Sequence, residues 1–287
     1  MNDVPVLFYD AVCTNPVTAI SFTLKKLSGR FGEVAVEAFD NAAFHSVAMK
    51  NGQFSDGGYF SQFNALRGNS VKFTKVSRKH HMYTSIFVSA HRGEYSIEPT
   101  VLKELSLVTK GKRVGLSLKT SNICKELEKW IGSLHFCFAL KVPVECLIIS
   151  ESLIQKKTLF QLEFMGNTQI SDEVTTQLLQ LMKQEQFHQA FLSYISGSNL
   201  KKLIAEWREN AAEMAGKTIF CKKQVTLKKL GFSGCTKEEE REFDVICPRF
   251  KGLRTNASIY LLKNNNEAGL YCLRVPNGAY KSKFVFV

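Results

Sequence analysis

From about Val114 to Cys221 one pattern of apolar and polar positions returns five times. Three residues alternate apolar, polar, apolar; a small or polar turn follows; then comes a segment with helical spacing. The central apolar positions are Leu116, Phe138, Leu162, Leu192 and Phe220, separated by steps of 22, 24, 30 and 28 residues. Phe160-x-Leu162-x-Phe164-x-x-Asn167-x-x-Ile170 aligns with Ala190-x-Leu192-x-Tyr194-x-x-Gly197-x-x-Leu200, and Phe136-x-Phe138-x-Leu140-x-x-Pro143-x-x-Cys146 is a looser copy. The alternation predicts strands with one apolar face. Helices are predicted between them. Ser121 or Asn122 can cap one that presents Leu127, Ile131 and Leu134. Ser171 can cap a second, with Asp172 and Glu173 favourable in its first turn and Val174, Leu178 and Leu181 facing inward. Ser198 or Asn199 can cap a third, carrying Leu200, Leu203, Ile204, Trp207, Ala211 and Met214, with Gly216 where a C-cap belongs.

The flanks read differently. Residues 1–43 carry short helical patterns near Pro5 to Cys13, from Thr18 through Leu27, and from Phe31 to Asn41; helices this short are marginal unless they pack on something. In residues 44–100 the period shortens. Asn51-Gly52 between apolar runs signals a hairpin with a type I′ turn, and Val71–Val76 and Met82–Val88 read as strands. After the array, Val225 to Phe232 reads as one more strand. Thr236 to Ile246 reads as a helix with a capping box from Thr236 and Glu239. Ile259–Leu262 and Leu270–Val275 form a hairpin around Asn264–Asn266, and Lys283–Val287 is a last strand. The boundaries that follow are a helical segment over 1–43, a β-rich connection over 44–100, a strand–helix array over 101–250 and a β cap over 251–287.

A step in the twenties, with an L-x-L-x-x-N-like run at a strand, is the spacing of leucine-rich repeats. One strand–helix unit cannot cover its own apolar face, whereas stacked units share a core. The expected class is therefore α/β: an irregular leucine-rich-repeat-like solenoid with parallel strands, closed by a C-terminal β-hairpin cap. An ordinary α/β sheet with alternating strands and helices is the other arrangement this pattern allows. In either, the polar positions beside the core positions face out, which makes Lys119, Gln161, Glu163, Ser193 and Lys222 candidates to touch a partner.

Charge adds one alternative. Lysine and arginine exceed aspartate and glutamate by 12 over 287 residues, a balance that favours acidic partners or nucleic acid. The basic residues include scattered pairs, such as Lys156–Lys157 and Lys201–Lys202, the densest group being Arg78, Lys79, His80 and His81, with Arg92 nearby. That group is an exposed turn or a phosphate contact, the latter giving a nucleic-acid-binding alternative. The eight cysteines form no C-x-x-C pair and sit mostly in apolar runs, the habit of small hydrophobes in a reduced cytoplasmic or nuclear protein. The most apolar window, Phe136–Ile149, is interrupted by Lys141, Pro143 and Glu145, so no membrane span is expected. The six histidines lack metal-ligand spacing, and P-loop, G-x-S-x-G and dinucleotide patterns are missing. A non-catalytic protein without cofactor or metal is the expectation. Trp130 and Trp207 sit at helical spacing and are assigned to the core.

One resemblance bears on the N-terminal segment. Val4-Pro5-x-Leu7-Phe8-x-x-x-Val12, followed by Leu24-x-x-Leu27-Ser28-x-Arg30-Phe31-x-x-Val34-Ala35, resembles a degenerate F-box. A small F-box-like segment followed by irregular leucine-rich-like units is similar to the expanded F-box-related families of nematodes. The resemblance implies that Pro5, Leu7, Phe8, Val12, Leu24, Leu27 and Phe31 face a Skp-type adaptor or pack the helices behind it. It also implies that the downstream domain selects a protein substrate for a Skp–cullin–F-box ubiquitin ligase.

Overall fold

A computed structural model describes residues 29, 32–34, 36, 43–61, 81–90, 96–121, 123–144, 147–248, 250, 257–264 and 268–287. The seven F-box-like positions Pro5, Leu7, Phe8, Val12, Leu24, Leu27 and Phe31, the Val71–Val76 strand, and Arg78, Lys79, His80 and Arg92 lie outside the described residues. The chain divides into two units, Met1–Cys137 and Phe138–Val287, and the division falls inside the span expected to be a single array.

In the first unit, β1 (Ala43–Lys50) and β2 (Gln53–Ser61) form the expected antiparallel hairpin. Asn51 and Gly52 turn it with φ of 51° and 80°, as a type I′ turn requires. β1 then pairs in parallel with β3 (His81–Ser89), and β3 with β4 (Arg113–Leu118). The register sets Val47 beside Ile86 and Ile86 beside Leu116. All three are buried, as are Met49, Val88, Val114 and Leu118 on the same face. α1 (Pro99–Thr109) starts at a proline, which suits a first turn. It buries Leu105, and the Thr84 hydroxyl donates to its Val108 carbonyl across 3.2 Å. α2 (Lys125–Ser133) buries Leu127, Trp130 and Ile131. It begins after Cys124 rather than at the anticipated Ser121 or Asn122, and no side chain caps it.

The second unit repeats strand and helix: β5 (Cys137–Pro143), α3 (Leu147–Gln155), β6 (Gln161–Met165), α4 (Asp172–Met182), β7 (Gln189–Leu192), α5 (Gly197–Glu209), α6 (Ala211–Met214), β8 (Thr218–Cys221). The pairs β5–β6, β6–β7 and β7–β8 are all parallel, as the pattern predicts, because each intervening helix returns the chain to the same end of the sheet. Ser171 caps α4 by accepting from the Val174 amide. α5 is capped two to three residues earlier than expected, by Ser196, whose hydroxyl accepts from the Asn199 amide. Asn199 is instead buried, with its side-chain amide donating to the Ile170 carbonyl at 3.0 Å.

Beyond β8 the direction changes. β12 (Ser282–Phe286) lies antiparallel to β8, followed by β11 (Gly269–Arg274), β10 (Ser258–Lys263) and the two-residue β9 (Ser233–Gly234). The C-terminal hairpin and last strand are thus present. The strand expected over Val225–Phe232 is not. That stretch holds a 3₁₀ turn, Lys228–Leu230, ended by Gly231 at φ 84°. Its alternating Val225 and Leu227 are buried as a packed loop, so the period of two has a second origin here. α7 (Lys237–Ile246) begins with the predicted capping box. The class observed is mixed α/β, with parallel strands edged by antiparallel ones.

Candidate functional site

Cross-strand partners share a face of a sheet, so the register sorts the second unit into two faces. One carries Leu140, Leu162, Ala190 and Ile219 in adjacent strands, all buried. The other carries Lys141, Glu163, Phe191, Phe220, Lys283 and Leu273 in the same manner. α7 covers the far part of this second face: Phe243 and Cys247 pack with Tyr271, Leu273, Val285, Ile259 and Leu261. Over β6, β7 and β8 the same face is only half-buried, and a cluster of mixed chemistry stands there.

Its centre is an aromatic pair. Phe191 and Phe220 stack with centroids 4.5 Å apart and planes 6° from parallel. Tyr280, from the loop between β11 and β12, tilts against both at 5.2 and 5.8 Å. Its hydroxyl reaches Glu163 Oε1 at 3.5 Å, and Lys141 Nζ lies 2.8 Å from the same oxygen. Burial, and then the Glu163 charge, push the Tyr280 hydroxyl up to about 12. At the other side Lys283 is 9% exposed, with its ammonium 6.0 Å from the Phe220 ring centre; burial lowers its proton affinity below the ordinary lysine range. Each aromatic contact contributes on the order of 1 kcal/mol beyond its buried area. The half-exposed Lys141–Glu163 pair adds less than about 1 kcal/mol. The arrangement offers apolar contact flanked by both signs of charge, the makeup of a binding surface.

The candidate partner-binding residues separate. Gln161 and Glu163 lie on this half-buried face, in β6. Lys222 follows β8 and is half-buried, its amide donating to the Leu192 carbonyl at 3.0 Å. Ser193, expected at the surface, is 2% exposed, and its hydroxyl donates to the Gly166 carbonyl; it ties β7 to the loop after β6 and is not displayed. Lys119 is exposed just after β4 in the first unit. Of the basic group, His81 begins β3.

Phe191, Phe220, Tyr280, Lys141 and Lys283 were not among the sequence candidates for binding. Phe191 has a local signal, since it alternates with Ala190 and Leu192. Phe220 reads as a core centre and is on the opposite face from Leu162. Tyr280 and Lys283 reach the site only through antiparallel pairing of a strand distant in sequence, which no local pattern announces.

Other features are structural. Lys217 is buried, its ammonium donating to the Met182 and Gln184 carbonyls at 2.5 and 2.8 Å beyond the end of α4, where a cation offsets the helix dipole. Burial pushes the Cys221 and Cys272 thiols up, away from the thiolate that nucleophilic chemistry needs. Two clefts of about 600 and 520 Å³ adjoin Ala215 and Val287. Among the described residues no group of three or more histidine, cysteine, aspartate or glutamate side chains could hold a metal, and no helix is long and apolar enough to cross a membrane. No family model, curated protein or solved structure matches the chain.

Proposed function

We propose that this chain is a non-catalytic protein-interaction module, serving as the substrate receptor of a Skp–cullin–F-box type ubiquitin ligase. In this reading residues 1–43 recruit the adaptor through Leu7, Phe8 and their neighbours. The strand–helix units of 101–250 act as an irregular leucine-rich-like array whose sheet presents a substrate. The observation that carries the binding role is the half-buried face of β6, β7 and β8, where Phe191, Phe220 and Tyr280 meet the Lys141–Glu163 pair. Half-buried aromatic residues beside charge are the usual anchors of protein interfaces. The adaptor role rests on the sequence resemblance.

The test is capture of the full chain by a purified Skp-type adaptor. Binding that is lost on Leu7→Asp and Phe8→Asp, with the folded signal kept, supports the receptor role. Absent binding, or binding indifferent to both substitutions, rejects it.

A further inference from the structure

We propose that the half-buried sheet face beside Lys283 takes an acidic polypeptide segment, one carboxylate meeting the Lys283 ammonium and an apolar side chain resting on the Phe191–Phe220 pair. This rests on reading the chain as a protein-interaction module and names the chemistry of the partner.

Lys283 is the observation that points outward. It lies in β12 between Phe220 of β8 and Leu273 of β11, with nine-tenths of its surface covered. Among the described residues its side chain forms no ion pair and no hydrogen bond; it meets the Phe220 ring at 6.0 Å. The ammonium is not among the fully buried nitrogens left without a partner, so it reaches the surface, where the ring quadrupole gives it only a weak partner. An anion brought by a ligand gives it a partner. Glu163, the acidic group in the row of strand residues on this face, is already held by Lys141 at 2.8 Å and faces the Tyr280 hydroxyl.

The geometry favours a peptide carboxylate over nucleic acid. Phe191 and Phe220 each use one ring face on the other, and Tyr280 is tilted against both. Little ring face is left for stacking a base, which is the main sequence-tolerant contact of single strands. A polypeptide can set one carboxylate at Lys283 and an aliphatic side chain on the ring edges while leaving Glu163 undisturbed.

Fluorescence anisotropy on the full chain tests this with three probes: a short peptide alternating glutamate and leucine, its glutamine counterpart, and an oligouridylate. The acidic peptide should bind about tenfold more tightly than the glutamine one, a discrimination of the size one charge contact supplies. Lys283→Met should abolish that discrimination while leaving the free protein folded, as its denaturation midpoint will report. Lys283→Gln serves as a second variant should methionine perturb folding, and Lys129→Met, at an exposed position of α2, should leave affinity unchanged. Equal affinity for the two peptides, no measurable binding, or discrimination that survives both Lys283 variants overturns the proposal. So does tighter binding of the oligouridylate, which would hand the face to nucleic acid. Adaptor capture is scored separately: a chain that captures the adaptor through Leu7 but discriminates no peptide overturns this inference and leaves the receptor reading intact. Peptide discrimination without adaptor capture does the reverse.

Discussion

Single residues show how far local chemistry carries. Gly52 is required by its turn twice over: its φ is 80°, and a Cβ there would sit 2.2 Å from the Ser96 carbonyl oxygen. Gly52→Ala should therefore destabilise the chain by about 1–3 kcal/mol, the usual cost of a strained backbone position, read from urea unfolding. Tyr280 makes a pH prediction. In the unfolded chain a tyrosine ionises near 10, whereas in the fold burial and Glu163 hold Tyr280 protonated up to about 12. Between those values the unfolded state binds fewer protons, so stability falls as pH rises through the window. Tyr271, also pushed up to about 12 chiefly by burial, contributes a fall of the same sign. Tyr280→Phe should make the decline shallower without abolishing it, as denaturant midpoints measured across that range would register.

Elements form where local signals and packing agree. α7 begins at Thr236, whose hydroxyl accepts from the Glu239 amide while the Glu239 carboxylate accepts from the Thr236 amide at 2.9 Å. Thr236→Ala should cost about 1 kcal/mol, as loss of a helix cap does. Phe243 should matter more. It is fully buried between Phe250 and Tyr271, so Phe243→Ala should cost about 3–5 kcal/mol. Differential scanning calorimetry separates the two, because the first only frays a helix start and the second empties the core beneath it. Where signals were ambiguous, the elements moved. α5 took Ser196 as its cap over Ser198 or Asn199, because Asn199 is claimed by the Ile170 carbonyl. Val225–Phe232 turned into a 3₁₀ loop, because alternating apolar residues fit a buried loop as well as a strand.

At the scale of the whole molecule, charge and register set what can bind. The excess of 12 positive charges favours acidic partners at long range, and such attraction is screened within about 8 Å at physiological salt. Association with an acidic peptide should therefore slow severalfold as salt rises, mostly through the on-rate; stopped-flow measurements at low and physiological salt would reveal it. A salt-independent on-rate would mean that the charges contribute solvation only. Register matters equally. Because Leu162 pairs with Ala190 and Ala190 with Ile219, Phe220 turns away from the row of core positions and joins Phe191. The aromatic surface exists because of that phase.

Much was legible in the residues alone: strands at Leu116, Phe138, Leu162, Leu192 and Phe220, the parallel order of the last four, the Asn51-Gly52 turn, the Ser171 and Thr236 caps and the C-terminal hairpin. These depend on interactions within a few residues, or on alternation that one strand carries by itself. Thr218-Ile219-Phe220-Cys221 has no such alternation, since its apolar side chains are consecutive, and only the strands and helices on either side could choose which of them faces the core. The same holds for Tyr280 and Lys283, which pairing over long sequence distances brings to Glu163 and Phe220. Local sequence determined the parts; contact between distant segments decided which side chains were left facing outward together.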